Sequence, residues 1–224
     1  GVASTWRPAL AEQMADVVRR EMRAIGTHQG LSPVLDVCRD PRWGRGHETY
    51  GEDPFLTSRL GVAFCRGLQG DDPVYLKAAA CAKHYAVHSG PEADRHHFNA
   101  EVSIKDMEES YLPAFEACVR EAGVEAVMGA YNRVNGEPCC ASPTLLTDIL
   151  RGRWGFRGHV VSDCGAIADI HKHHRATSDA AESAALAVKN GCDLNCGSVF
   201  HALLVALERG LIGEDEIDRA CHRL

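Results

Sequence analysis

Residues 158–167, GHVVSDCGAI, place a carboxylate at the point where an apolar strand ends. Asp163 follows Val160, Val161 and Ser162 and is itself followed by two small residues, Cys164 and Gly165. A carboxylate costs several kcal/mol to remove from water unless another group compensates for the loss. Asp163 therefore has two interpretations: it caps the next turn, as aspartates after strands commonly do, or it is a reactive group at the mouth of a barrel.

Other polar side chains also lie at or after the ends of predicted strands, which favours the second interpretation. Lys83 and His84 end an apolar run, and Tyr131 ends another with a phenol that needs a partner if it is buried. A carboxylate surrounded by cations and hydroxyls stays ionised, and the small residues after Asp163 leave room beside it. An ionised carboxylate with free space is what a nucleophile attacking a sugar carbon requires.

The polar, glycine-rich segment 39–54 is too long for a simple connector. It is either a surface loop held by Arg–Glu pairs or a rim loop in which Arg45 offers its fork of donors to sugar hydroxyls. Met128, by contrast, is by default a core residue.

Metal and cofactor sites are not expected. His84, His88, His96 and His97 are divided between a strand and a loop without ligand spacing, and the ten cysteines contain no CxxC pair. No glycine-rich nucleotide-binding motif is present. Four cysteines, Cys38, Cys81, Cys118 and Cys164, lie in apolar stretches, so we expect buried free thiols and no disulfide framework.

Short β-rich runs alternate with amphipathic helices along the chain. Strands are predicted at 32–37, 77–85, 125–132, 159–164 and 192–196. The first helix ends at Gly26 and is expected to bury Leu10, Met14, Val17, Val18, Met22 and Ile25. Later helices are predicted from Asp53-Pro54, over 103–123 with a break at Pro113, from Ser142 to Gly152, and over 179–190, 199–209 and 214–224.

This alternation predicts an α/β fold with a parallel sheet covered by helices. Because the polar residues collect at strand ends, we expect a (β/α)8 TIM-like barrel with outer helices, whose active site lies at that rim. Five strands are too few for eight, so the barrel is expected to be partial and residues 1–224 to be part of a longer chain.

Composition excludes several classes of partner. The formal net charge is -7 with both signs interspersed, which argues against a nucleic-acid or anionic membrane partner. No apolar run approaches the roughly 20 residues of a membrane span. A hydrophobic content of 45% is ordinary for a folded globular domain.

Four ordered motifs together resemble glycoside hydrolase family 3, in its β-glucosidase and β-xylosidase branch. They are SPVLDVCRDPRWGRGHETYGEDP, KHYAVHSGPEADRHHFN, VMGAYNRVNGEPCC and WGFRGHVVSDCGAI. The resemblance implies a retaining, exo-acting β-glycosidase, and identifies residues 1–224 as an incomplete N-terminal catalytic barrel domain. A periplasmic or extracellular location would suit the family.

The same resemblance implies roles for individual residues. Asp163 corresponds to the catalytic nucleophile, and the residues implied in sugar binding are Arg45, Lys83, His84, Arg95, Met128 and Tyr131. The family's acidic sugar-binding residue would precede this chain, and its acid/base glutamate would come from a second domain after it. Cys164 replaces a frequent tryptophan, and with the PRWGRG motif this is more similar to the xylosidase members.

Two alternatives stay open on the sequence alone. The β-N-acetylglucosaminidases of the family use an Asp–His dyad as acid/base. Asp94 and His96 have a similar spacing in this sequence, but the glycine-rich segment that forms the dyad's loop in those enzymes is missing. A non-catalytic carbohydrate-binding barrel is also compatible with the fold. Such a barrel would keep Arg45 and His84 but would have no use for Asp163.

Overall fold

A computed structural model describes residues 1–224, which form two compact units. The first unit comprises residues 1–83 and 103–126, and the second comprises residues 84–102 and 127–224. The predicted α/β class is confirmed, since a parallel sheet alternates with helices. No helix is both long and apolar enough to cross a membrane.

The first unit contains four α-helices, a π-helical segment at Met107–Tyr111, two short 3-10 helices (Val2–Thr5 and Gly46–Glu48) and the start of the sheet. Its elements are α1 (Pro8–Ala24), β1 (Gln29–Gly30), α2 (Pro54–Gln69), β2 (Ala79–Tyr85, which continues into the second unit), α3 (Ile104–Asp106) and α4 (Pro113–Ala122). Asp53 begins α2 by accepting a hydrogen bond from the Leu56 amide, and Pro113 separates α4 from the preceding turns, as predicted. Strands β1 and β2 are parallel, with Gln29 opposite Ala79.

The buried face of α1 differs from the prediction. Ala11 and Ala15 are fully buried, whereas Val17 is 54% exposed and Ile25 is 80% exposed. The physical reason is the close approach of α2: a side chain at Gly67 would collide with the backbone of α1 and with the Ala15 methyl. Helices this close pack through small residues. Met14, Val17, Val18 and Ile25 are therefore exposed, while Leu10 and Met22 are half-buried.

Residues 32–37 do not form the predicted strand, although they pair with β2. Pro33 has no amide hydrogen to donate. Its carbonyl accepts from the Lys83 amide at 3.0 Å, and the Leu35 amide donates to the Lys83 carbonyl at 2.6 Å. The segment therefore forms only a single parallel bridge, between Val34 and Lys83.

The second unit carries the remaining strands and the C-terminal helices. It contains the end of β2, followed by β3 (Asn99–Ala100), β4 (Ala126–Gly129), β5 (Arg133–Val134), β6 (Glu137–Pro138) and β7 (His159–Ser162). The first residue of β4, Ala126, belongs to the first unit. In the main sheet β4 lies between β2 and β7, while β3, β5 and β6 form a small separate sheet. The turn between β5 and β6 is at Asn135 and Gly136, both with positive φ, which is a common hairpin turn.

The second unit also contains one π-helical segment and four α-helices. A π-helical segment spans Pro143–Arg153, and the α-helices are α5 (Ala166–Lys172), α6 (Ala180–Lys189), α7 (Leu203–Glu208) and α8 (Glu214–Cys221). Ser142 begins the π-helical segment by accepting from the Leu145 amide, at the predicted position. Helices α6, α7 and α8 share a core that includes Ala185, Ala206 and Ala220.

The predicted strand at 192–196 is reduced to one parallel bridge between Val161 and Leu194. Backbone bonds hold this bridge, from the Leu194 amide to the Val160 carbonyl at 3.0 Å and from the Ser162 amide to the Leu194 carbonyl at 2.9 Å. Side chains accept from the amides on either side of it, those of Val160 and Cys196. The Asp193 carboxylate accepts from the Val160 amide at 2.8 Å, and from Arg151 and Arg223 at 2.6 and 2.9 Å. This buried ion cluster ties β7 to the end of α8.

One cysteine prediction is wrong. Cys164 and Cys196 form a disulfide, which joins the residue after Asp163 to the segment that follows the Leu194 bridge. Their Cα atoms lie 4.5 Å apart, because the Gly165 amide donates to the Cys196 carbonyl and holds the two segments side by side. The other eight cysteines are free thiols; six are buried as expected, whereas Cys38 is half-buried and Cys221 is exposed.

Candidate active site

Asp163 is fixed at the C-terminal end of β7 by its backbone and by one carboxylate oxygen. Its amide donates to the Gly129 carbonyl of β4 at 3.0 Å, and its Oδ1 accepts from the Cys164 amide at 2.8 Å. The residue is only 7% exposed, and its Oδ2 is buried without a hydrogen bond. One oxygen is thus engaged in holding the carboxylate, while the lone pairs of the other are unengaged.

His84 lies beside that second oxygen. Its Nε2 is 3.5 Å from Asp163 Oδ2, and the side chain is almost completely buried at the end of β2. The His84 ring packs against His88 with 4.7 Å between centroids, and His88 Nδ1 lies 3.3 Å from the Asn132 side-chain oxygen. Asn132 is held in turn by three backbone carbonyls, including those of residues 86 and 87. The imidazole beside the carboxylate is therefore supported by a buried polar chain.

Tyr131 approaches the same strand end from β4. Its hydroxyl donates to the Cys164 carbonyl at 2.9 Å. Burial, and then the neighbouring charge of Asp163, raise the pKa of the Tyr131 phenol well above its ordinary value. The phenol consequently stays protonated and acts as a hydrogen-bond donor. The Arg95 guanidinium lies over the Tyr131 ring, 5.9 Å from its centroid.

A second carboxylate–histidine pair lies next to Tyr131. His96 Nδ1 is 2.7 Å from Oδ2 of Asp169, a residue of α5. The His96 ring meets the Tyr131 ring edge-on, with 4.7 Å between centroids. The alternative that pairs His96 with Asp94 is wrong on this point, because Asp94 is exposed at the end of the 3-10 turn Glu92–Asp94.

The other predicted site residues are placed as follows. Met128 is buried in β4, one residue before the carbonyl that binds the Asp163 amide. Arg45 and Lys83 belong to the first unit, where Arg45 makes a two-point ion pair with Glu48 at 2.9 and 2.8 Å. The second unit therefore brings His84 and Tyr131 beside Asp163 and places Arg95 over the Tyr131 ring.

Sequence reasoning did not identify several residues of this arrangement. Asp169 is separated from His96 by 73 positions, and no motif joins the two. Cys196 carries no spacing signal either. Asn132 directly follows the Tyr131 strand end, so its position was visible, but its contact with His88 was not.

No group of three or more histidine, cysteine or acidic side chains is arranged to hold a metal ion. The chemistry that this arrangement itself offers is that of a fixed, ionisable carboxylate with a neutral phenol and an imidazole beside it. Such a carboxylate can attack an electrophilic carbon.

Comparisons with known proteins agree with this chemistry. The model of the glycosyl hydrolase family 3 N-terminal domain matches residues 1–224. A xylan 1,4-beta-xylosidase of Xylanibacter ruminicola is 45% identical over 243 residues, which cover all of this chain and 28% of that protein. Beta-D-xylosidase 1 of Arabidopsis thaliana is 41% identical over 97% of this chain and 30% of its own length.

Solved structures show the same likeness. A GH3 exo-beta-xylosidase (XlnD), in complex with a xylobiose aziridine activity-based probe, superposes with a TM-score of 0.96 at 34% identity. It matches over 99% of this chain and 30% of its own. A beta-glucosidase from Listeria innocua superposes with a TM-score of 0.90 at 36% identity, over 99% of this chain and 31% of its own. The prediction of a TIM-like barrel fold is thereby confirmed, and the chain spans about a third of the length of these relatives.

Proposed function

Since the chain belongs to glycosyl hydrolase family 3, we propose that it carries the nucleophile of a retaining, exo-acting β-glycosidase. The observation that supports this most directly is the asymmetry of Asp163: one oxygen is held by the Cys164 amide, and the other is buried, unbonded and 3.5 Å from His84. A carboxylate held in this way needs little reorganisation before it attacks.

The reaction has two balanced steps. Asp163 Oδ2 attacks the anomeric carbon, the bond to the leaving oxygen breaks, and that oxygen takes a proton from a general acid. Water then attacks the glycosyl ester, gives a proton to the same group in its basic form, and regenerates the Asp163 carboxylate. The sugar leaves with its anomeric configuration retained.

The general acid must be a second carboxyl group about 5 Å from the nucleophile. We propose that a glutamate in a second domain of the full-length protein supplies it. Two observations support this: the chain spans less than a third of the Xylanibacter relative, and Glu48 and Glu92 are already paired with Arg45 and Arg95.

Sugar binding is proposed for six residues, four of which belong to the same unit as the nucleophile. They are Arg45, Lys83, His84, Arg95, Met128 and Tyr131. The neutral Tyr131 phenol and the Arg95 guanidinium can donate hydrogen bonds, and the His84 ring has a nitrogen near the attacking oxygen. Because the two relatives compared by sequence above are xylosidases, we propose a terminal β-xylose as the preferred sugar.

The test is turnover of aryl β-xyloside and β-glucoside by full-length protein with Asp163→Asn. We expect kcat/KM to fall at least about 10³-fold, since removing a nucleophile leaves only binding and electrostatic effects. Asp148→Asn, which changes an exposed carboxylate on the Pro143–Arg153 segment, is the matched control. A full rate in Asp163→Asn would reject the proposal, and sugar binding without any wild-type turnover would favour the carbohydrate-binding alternative.

A further inference from the structure

The contact between His96 and Asp169 has no part in the chemistry proposed above. The Asp169 side chain is 7% exposed, and it accepts from His96 Nδ1 at 2.7 Å, while His173 Nε2 lies 3.6 Å from its other oxygen. Burial raises the pKa of Asp169, and the hydrogen bond and charge of His96 oppose that shift. A carboxylate is therefore kept in a poorly solvated place by a histidine from a different segment.

The His96 side of this pair ends at Tyr131. The two rings meet edge-on at 67°, with centroids 4.7 Å apart, and Arg95 from the same loop lies over the Tyr131 ring. The Tyr131 hydroxyl reaches the Cys164 carbonyl, one residue after Asp163. His96 thus packs against the ring whose hydroxyl is bound beside the nucleophile.

The Asp169 side of the pair returns to the same nucleophile. Helix α5 begins directly after Asp163, whose carbonyl accepts from the Ala166 amide at 3.0 Å. Asp169 lies one turn further along this helix. The pair consequently closes a ring of contacts that runs from Asp163 through α5, Asp169, His96 and Tyr131 to Cys164.

We propose that His96 and Asp169 are positioning residues for the Tyr131 phenol and, through it, for the attacking carboxylate. The inference rests on the proposed role of Asp163 as nucleophile. Neither residue needs to touch the sugar. The pair is expected to act on kcat, because a displaced phenol shifts the carboxylate from the position it needs at the transition state, where an Asp163 oxygen gives its electron pair to the anomeric carbon.

The test compares three variants of the full-length protein. His96→Leu removes the donor to Asp169. His96→Asn keeps an N–H donor in a smaller side chain. His171→Leu is the matched control, since His171 lies on the same helix α5 but its Nδ1 pairs with Ser183. Kinetic constants are divided by the concentration of active sites, titrated with a 2-deoxy-2-fluoroglycoside that traps the nucleophile.

We expect His96→Leu to lower kcat per titrated site about 10- to 100-fold, the loss associated with one hydrogen bond to a charged group, while KM changes less than about threefold. His96→Asn should recover most of that loss, and His171→Leu should keep the wild-type kcat per site. A purely structural role would lower the number of titrated sites and leave kcat per site unchanged.

If His96→Leu does not fold, Asp169→Asn decides the question, since its amide oxygen can still accept from His96 but carries no charge. It should lower kcat per site by a smaller factor, about 3- to 10-fold. The inference is overturned if kcat per site stays within twofold of wild type in the folded variants, or if His171→Leu falls equally. An active Asp163→Asn protein would instead reject the nucleophile itself, whatever His96 does.

Discussion

Replacing Tyr131 by phenylalanine removes one hydroxyl beside the nucleophile and changes little else. The hydroxyl donates to the Cys164 carbonyl at 2.9 Å, and the charge of Asp163 contributes to its raised pKa. A hydrogen bond that acts on a charged group is worth about 1.5–3 kcal/mol. At 1.4 kcal/mol per factor of ten, kcat/KM for an aryl xyloside should fall about 10- to 150-fold.

The chain offers a matched control for this variant in Tyr85→Phe. The Tyr85 hydroxyl also donates to a backbone carbonyl, that of Leu145 at 3.0 Å, and its ring packs against Trp154. Tyr85→Phe should lower the unfolding midpoint slightly and leave kcat/KM per titrated site unchanged. The reasoning is refuted if Tyr131→Phe keeps at least half of the wild-type kcat/KM, or if both variants lose activity to the same extent.

Three further predictions concern the framework of the second unit. Burial, then the charge of Arg133, lower the pKa of His174 from 6.5 to about 4. Its protonation therefore opposes folding. The free energy of unfolding should be highest above pH 6.5 and fall by at most about 3 kcal/mol as the pH is lowered towards 4. In urea titrations at several pH values, His174→Gln should reduce this dependence on pH. Asp193→Asn leaves Arg151 and Arg223 without their buried charged partner. The free energy of unfolding, measured in urea, should fall by about 3–5 kcal/mol. In the control Asp148→Asn it should not change. Gly129→Ala places a methyl 2.9 Å from Cys140 Sγ, so it should cost about 1–3 kcal/mol and lower kcat, and Cys140→Ala in the same protein should recover part of both losses.

Local patterns were enough to predict the fold class and several helix starts. The alternation of strands and helices, the Asp53 and Ser142 caps and the break at Pro113 depend on residues close in sequence, and the structure has them all. The strand at 192–196 is shorter than predicted because the Asp193 carboxylate and the Ser162 hydroxyl accept from the Val160 and Cys196 amides, which backbone carbonyls would bind in a longer strand. Periodicity also failed for α1, where the room left by Gly67 selects the alanine face.

The same division holds for the candidate site. The ends of two predicted strands already placed Asp163 and His84 at one edge, and their 3.5 Å contact agrees with that expectation. Pairings across long separations were not visible. Among ten cysteines nothing selected Cys164 and Cys196 as partners, and nothing in the sequence turned His96 towards Asp169 instead of the nearby Asp94.

Covalent trapping tests the central claim most directly. Full-length protein is incubated with 2-deoxy-2-fluoro-β-xylosyl fluoride, digested, and the labelled peptide is sequenced by mass spectrometry. We expect one fluoroxylosyl group per active protein, on the peptide containing residues 158–167 and on Asp163 itself, with no label in Asp163→Asn. A label on another carboxylate, such as Asp169, or turnover without any trapped ester would contradict the assignment of Asp163 as the nucleophile.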